Sequence, residues 1–171
     1  MEFCKRPDRH EGICPVCNML YVKELPEDRQ MHRVFHRSVV DVFEPKPSVT
    51  LTKMHMLYGQ FVPVRWDDLR PLRRRLANMA RVFRREFGCD FTMYSETGDP
   101  GDGYLISKPD GRAIGGFVVR WIEYSNAPAQ WTLSWIWIEP THRRRGLMQS
   151  AWLSTNEEWT FLVRFLERSL R

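Results

Sequence analysis

The chain has 171 residues, 43% of them apolar and 13% aromatic, enough for one medium domain with a real core plus a small appendage. Charged residues make up 27% and are spread throughout, and no apolar run is long enough to cross a bilayer, so the composition excludes wholesale disorder and a membrane span. The net charge of +5 comes mostly from arginine and, with a pI near 9.2, invites a polyanionic partner.

The N-terminal stretch Met1-Glu-Phe-Cys-Lys-Arg-Pro7 has no apolar signal core. Cys4 and His10 are soft metal ligands at a spacing that fits neither a helix nor a turn, and are read as spectators. The next segment is chemically explicit. Cys14-Pro-Val-Cys17 is followed after fourteen residues by His32-Arg-Val-Phe-His36. Two thiolates can grip one ion from a tight turn, and two imidazoles at i and i+4 share one face of a helix, which is the donor set of a tetrahedral zinc site. Asn18-Met-Leu-Tyr-Val22 reads as a short strand, and Pro26-Glu-Asp opens a helix with proline and acids in its first turn. Such a finger reads DNA bases from the start of its helix, where this chain has Glu27 and Asp28, so a structural zinc is favoured over base recognition. Thiols arranged for metal imply a reducing, intracellular compartment: cytoplasmic, or nuclear in a eukaryote.

Arg37–Phe43 either extends the finger helix or begins a strand, and Pro45 and Pro47 mark the domain boundary. Ser48–Lys53 alternates with β-branched residues and predicts a strand, and Phe61–Arg65 is short and ambiguous. Asp67 or Asp68 caps a helix with Leu69, Leu72, Leu76, Met79, Phe83 and Phe87 on one face, ending at Gly88. The acidic, Gly-rich run to Gly103 is a loop. Tyr104–Ser107, the turn Lys108-Pro-Asp-Gly111 and Arg112–Ile122 form a hairpin, Trp131–Ile138 is a further strand, and the last helix begins near Gly146. The expected class is α+β, with a sheet flanked by helices.

Between that strand and helix lies Glu139-Pro-Thr-His-Arg-Arg-Arg-Gly146-Leu-Met148, four basic side chains and a glycine at a helix mouth. The first helical amides lack internal acceptors, the dipole adds about half a positive charge, and glycine lets a diphosphate approach the backbone. It is an anion site by construction.

Here the sequence resembles a family. Arg143-x-x-Gly146-x-Met148 after a strand and a proline looks like the acetyl-CoA motif of the GNAT acetyltransferases, and the order helix, hairpin, strand, motif, helix matches that fold over residues 48–171. The finger over residues 1–45, with Cys14-x-x-Cys17-x-Met19-x-Tyr21 and His32-x-x-Phe35-His36, is similar to the C2H2-type zinc finger of the sister-chromatid cohesion acetyltransferases. The resemblance implies an N-acetyltransferase moving an acetyl group from acetyl-CoA to an amine, a protein lysine or a small molecule. By position, the Trp137 and Ile138 backbone would pair with the pantetheine arm. Arg143, Arg144, Arg145, Gly146, Leu147 and Met148 would hold the phosphates. Glu123 or Glu139 would be the general base, Glu123 preferred, in a direct transfer without a cysteine acyl-enzyme.

Two positions and the length of the C-terminal stretch depart from the family pattern. Asn18 stands where the finger family has glycine, and Met148 stands where the motif has a small residue and is expected to crowd the diphosphate. The chain ends about 25 residues after the motif, so the usual C-terminal strand and helix are compressed into Thr160–Arg168 or missing. The alternative reading is a zinc-finger nucleic-acid-binding or adaptor protein without catalysis. Nucleic acid is not the favoured partner, and no membrane is expected.

Overall fold

The computed structural model describes residues 11–65, 67–89, 94, 101–125 and 127–154. Cys4, His10, most of the acidic loop and Thr160–Arg168 lie outside the described residues. The chain divides into two compact units, Met1–Glu44 and Pro45–Arg171.

In the first unit, β1 (Glu11–Ile13) and β2 (Leu20–Val22) form an antiparallel hairpin with Ile13 opposite Leu20. The link between them is a tight knuckle, in which Asn18 N–H donates to the Cys14 carbonyl at 2.7 Å and Cys14 N–H to that of Met19 at 3.0 Å. Closing it needs a left-handed residue, and Asn18 has φ 51°. Asparagine tolerates that region better than other side chains, so it can stand where glycine would otherwise be needed. Helix α1 (Pro26–Phe43) then starts on a proline with Glu27 and Asp28 in its first turn. Asp28 Oδ2 accepts from Val22 N–H at 3.0 Å and ties the helix start to β2. Of the two readings of Arg37–Phe43, the structure gives the helix, which runs unbroken to Phe43.

The second unit opens with a correction. Ser48–Lys53 is not a strand: it begins helix α2 (Val49–Tyr58). The Ser48 hydroxyl caps the helix by accepting from Leu51 N–H at 3.4 Å, and the Thr52 hydroxyl returns to the Ser48 carbonyl at 3.1 Å. Helical spacing puts Leu51, Met54 and His55 inward, and that burial outweighs the β-branched alternation. The ambiguous segment becomes edge strand β3 (Phe61–Val64), where Ser107 N–H donates to the Gln60 carbonyl, so that by alternation Pro63 lacks its N–H on the side away from β4 and breaks no ladder bond.

Helix α3 (Arg70–Glu86) lies close to its expected place, but neither aspartate caps it. Leu69 is the cap residue, and Asp68 Oδ2 instead takes the Arg65 amide at 2.6 Å. Leu72, Leu76 and Met79 are buried as the periodicity requires, whereas Leu69 and Phe87, at the two ends, are 61% and 58% exposed.

Strands β4 (Asp102–Ser107), β5 (Ala113–Tyr124) and β6 (Ala127–Ile138) complete an antiparallel sheet in the order β3-β4-β5-β6. Residues of opposite parity serve opposite faces. On one face α3 settles on a glycine floor, since a Cβ at Gly116 would stand 2.7 Å from Leu76 Cδ1 and 3.2 Å from Met79 Sδ. Phe83 and Glu86 of α3 reach Trp135 and Trp137 of β6. On the other face Ile106, Phe117 and Val119, with Ile114 brought to the same side by a register slip between Ile106 and Ser107, form a core joined by Tyr104, Leu133, Ile136 and Ile138. Leu147 and Met148 of the final helix α4 (Leu147–Ser154) cover that core. The β5–β6 register slips between Val118 and Val119: Trp135 faces Val118 but Leu133 faces Val119, leaving Ser134 as a bulge.

The α3 seat is checked directly. Gly116→Val should cost about 1–3 kcal/mol through overpacking. Adding Leu76→Ala in a double-mutant cycle should recover part of that loss in urea unfolding, whereas strictly additive costs would show that the two positions do not press on each other.

Candidate functional site

The knuckle and α1 bring Cys14, Cys17, His32 and His36 together, with one ligand atom from each lying within 4.8 Å of the others. Both thiols are buried. Cys14 Sγ is 3.4 Å from His36 Nδ1, and the two imidazoles are one helical turn apart with ring centres at 5.3 Å. Tyr21 stacks flat on His32 at 4.0 Å and holds its plane. The Cys14 thiol is brought down to about 6, first by the Cys17 backbone amide, against the opposing effect of burial, and further by the neighbouring imidazoles. The site therefore favours thiolate.

One atom is left over. His32 Nε2 is buried with no hydrogen-bond partner among the described residues, and an unmatched buried polar atom costs about 1–3 kcal/mol. Two thiolates and two imidazoles fit zinc, and a bound ion would satisfy that nitrogen. Four protein donors fill a tetrahedral shell and leave no position for substrate, so the centre is structural.

The second unit carries a Cys2His2 finger's neighbour of another kind: a mixed α+β layer with a four-stranded antiparallel sheet. Residues 1–38 match the family model described as zinc-finger of acetyl-transferase ESCO. This match relates the finger to that of an acetyltransferase family and covers no part of the sheet unit. No curated protein matches the chain. Among the described residues no helix is long and apolar enough to cross a membrane.

At the end of β6 the ladder decides which backbone groups are available. Glu139 N–H donates to the Ile114 carbonyl at 2.8 Å, so by alternation Trp137 exchanges its bonds with Gly116 and the Ile138 groups face away from β5. Trp137 is therefore corrected as a backbone ligand: its polar groups serve the sheet, and its buried indole donates to Glu86 Oε2 at 3.0 Å. Ile138 keeps an outward amide on what is the edge strand among the described residues.

Arg143 is also reassigned. Its guanidinium grips Glu86 through two bonds of 2.6 and 2.8 Å, and its Nε donates to the Ile138 carbonyl at 2.8 Å. The charge is thus matched within the fold and clamps the strand end to α3. The pair holds the Glu86 carboxyl below its ordinary value, chiefly through the Arg143 hydrogen bonds with Trp137 adding to them, and raises Arg143. Nothing local in the sequence marks Glu86, which lies 57 positions away and reads as a helix-end surface acid.

Arg144 and Arg145 are exposed and make no hydrogen bond or ion pair among the described residues. Arg144 has φ 60°, a left-handed conformation costing roughly 1–2 kcal/mol for a side-chain-bearing residue, and Gly146 follows at φ 71°. Among the described residues, its chain neighbours aside, no atom lies within 4 Å of where a Gly146 Cβ would stand. Met148 does not crowd this turn, because its side chain and that of Leu147 pack against the sheet core.

The two candidate bases are separated. Gly115 faces Ile138, so Glu123 lies eight residues further along β5, roughly 25 Å away, exposed beside the hairpin turn. Glu139 is at the turn itself. Its Oε1 accepts the Thr141 hydroxyl at 2.9 Å and its Oε2 lies 2.6 Å from His142 Nδ1. These contacts orient the imidazole with Nδ1 turned to the carboxylate.

Two outcomes follow from these sites. Elemental analysis should find a single zinc per chain that is lost in Cys17→Ser, and chelation should raise amide exchange in residues 11–44 while leaving the sheet unit protected. The Glu86 carboxyl is depressed, so its contribution is complete above the ordinary carboxylate value and disappears as pH falls through the folded value. Glu86→Gln should therefore cost about 1 kcal/mol at neutral pH and flatten the acid limb of the stability curve, and an unchanged limb would show the clamp to be idle.

Proposed function

We propose that the chain is an N-acetyltransferase that moves an acetyl group from acetyl-CoA to an amine such as a protein lysine, with residues 48–171 forming a GNAT-like domain and the zinc finger as its structural appendage. The observation that carries this reading is the junction of an outward strand-edge amide at Ile138 with an open Gly146 at the start of α4. A diphosphate needs bare amides and cations, and this turn offers the first amides of α4 together with the uncommitted charges of Arg144 and Arg145. The pantetheine arm has the geometry of an added strand, for which the edge of β6 supplies the Ile138 amide and the outward groups of Ile136, the Ile138 carbonyl being held by Arg143.

When bound, acetyl-CoA supplies the activated carbonyl. The Ile138 amide would donate to the thioester oxygen as negative charge grows there. The acceptor nitrogen forms the C–N bond as the C–S bond breaks, and it must lose a proton as it does so. Glu139 directly follows Ile138 in the chain and takes that proton, with His142 held against its carboxylate, and the proton passes on to the departing thiolate. Glu123 has no role in this arrangement.

Calorimetric titration with acetyl-CoA tests the reading. Gly146→Asp should abolish binding by adding a side chain to a left-handed position and a negative charge to the diphosphate site. Arg144→Ala and Arg145→Ala should each weaken it by about 1 kcal/mol. Equal affinity in the wild type and Gly146→Asp, or no binding by either, would refute the site.

A further inference from the structure

Arg29, Arg33 and Arg37 of α1 recur at intervals of four residues, and all three are exposed. They form one line of guanidinium groups about 12 Å long with a step of about 6 Å. None of them makes an ion pair with an acidic group among the described residues, although Asp41 stands one turn beyond Arg37. Like charges at i and i+4 repel and disfavour the helix that carries them, so neither the stability of α1 nor the zinc centre accounts for this line. A linear array of unmatched cations on a rigid rod complements a linear array of anions.

We propose that this face of the zinc-finger helix binds the phosphate backbone of duplex DNA, side-on and without reading bases. One strand of a duplex presents a phosphate every ~3.4 Å of axis, so three lie well within the reach of the line. Base reading from the helix start is blocked by charge: Glu27 is exposed there, and Asp28 has one carboxylate oxygen committed to the Val22 amide. Binding is thereby confined to backbone contacts, which position a protein on DNA without specifying sequence. The inference concerns the finger alone and stands apart from the acetyl-transfer reading of the second unit.

The test is the salt dependence of duplex binding by the zinc-loaded full chain, using a fluorescent duplex of about 20 base pairs of arbitrary sequence. Three phosphate contacts give a slope of about −2.7 in log K against log salt, or about 40-fold weaker binding between about 50 and 200 mM salt. The Arg29→Gln/Arg33→Gln/Arg37→Gln variant, checked for full zinc content, should lose that share of the slope, and Glu27→Gln should tighten binding. An unchanged slope in the triple variant would overturn the proposal, as would a wild type that binds no duplex. So would a loss of slope seen only in Arg144→Gln/Arg145→Gln, which would move the contact to the other unit, or equal binding to a single strand of the same length.

Discussion

The sheet unit is organised around the close approach of α3 to a strand that offers it no side chain at Gly116. Because Gly116 presents bare backbone beneath Leu76 and Met79, the helix axis lies nearer the sheet than ordinary residues would allow. Everything at the far end of the helix follows from that height. Phe83 reaches Trp135, and Glu86 meets both the Trp137 indole and the Arg143 guanidinium. The clamp in turn fixes where β6 stops and sets the direction in which Glu139 to Gly146 leave the sheet. The turn that leaves β6 is thus positioned by packing on the neighbouring strand.

The finger is built on a different principle. Its hairpin has only three residues per strand, too few to hold a fold by ladder bonds alone, and its order comes from donors converging on one point. The knuckle supplies the thiolates, α1 supplies the imidazoles, and the stacked Tyr21 ring keeps one imidazole in plane. Asn18 shows how little the motif asks of sequence: a left-handed backbone is needed there, and a short polar side chain provides it nearly as well as glycine.

What was legible in the sequence was local. The zinc donors were readable because turn and helix spacing alone bring them together, and β4 to β6 were readable from β-rich runs punctuated by turn residues. Ser48–Lys53 misled because alternation over a few residues carries less weight than a capping serine and an inward Leu51. The helix stripe was right at its centre and wrong at its ends, where Leu69 and Phe87 run past the edge of the sheet. Glu86 was invisible because its partner comes from a distant strand end. Glu123 was different, since a signal existed: it sits immediately before the hairpin turn, and counting back along paired strands separates it from Ile138.

The extra residue Ser134 acts on β6 as a dislocation acts on a crystal row. On its C-terminal side Trp135 and Trp137 face α3; on its N-terminal side Leu133 and Trp131 face the opposite core, although unbroken alternation would place all four together. One inserted residue therefore divides the tryptophans of a single strand between two layers. The strand is in effect two half-strands of opposite phase, and restoring perfect pairing would turn one half inside out.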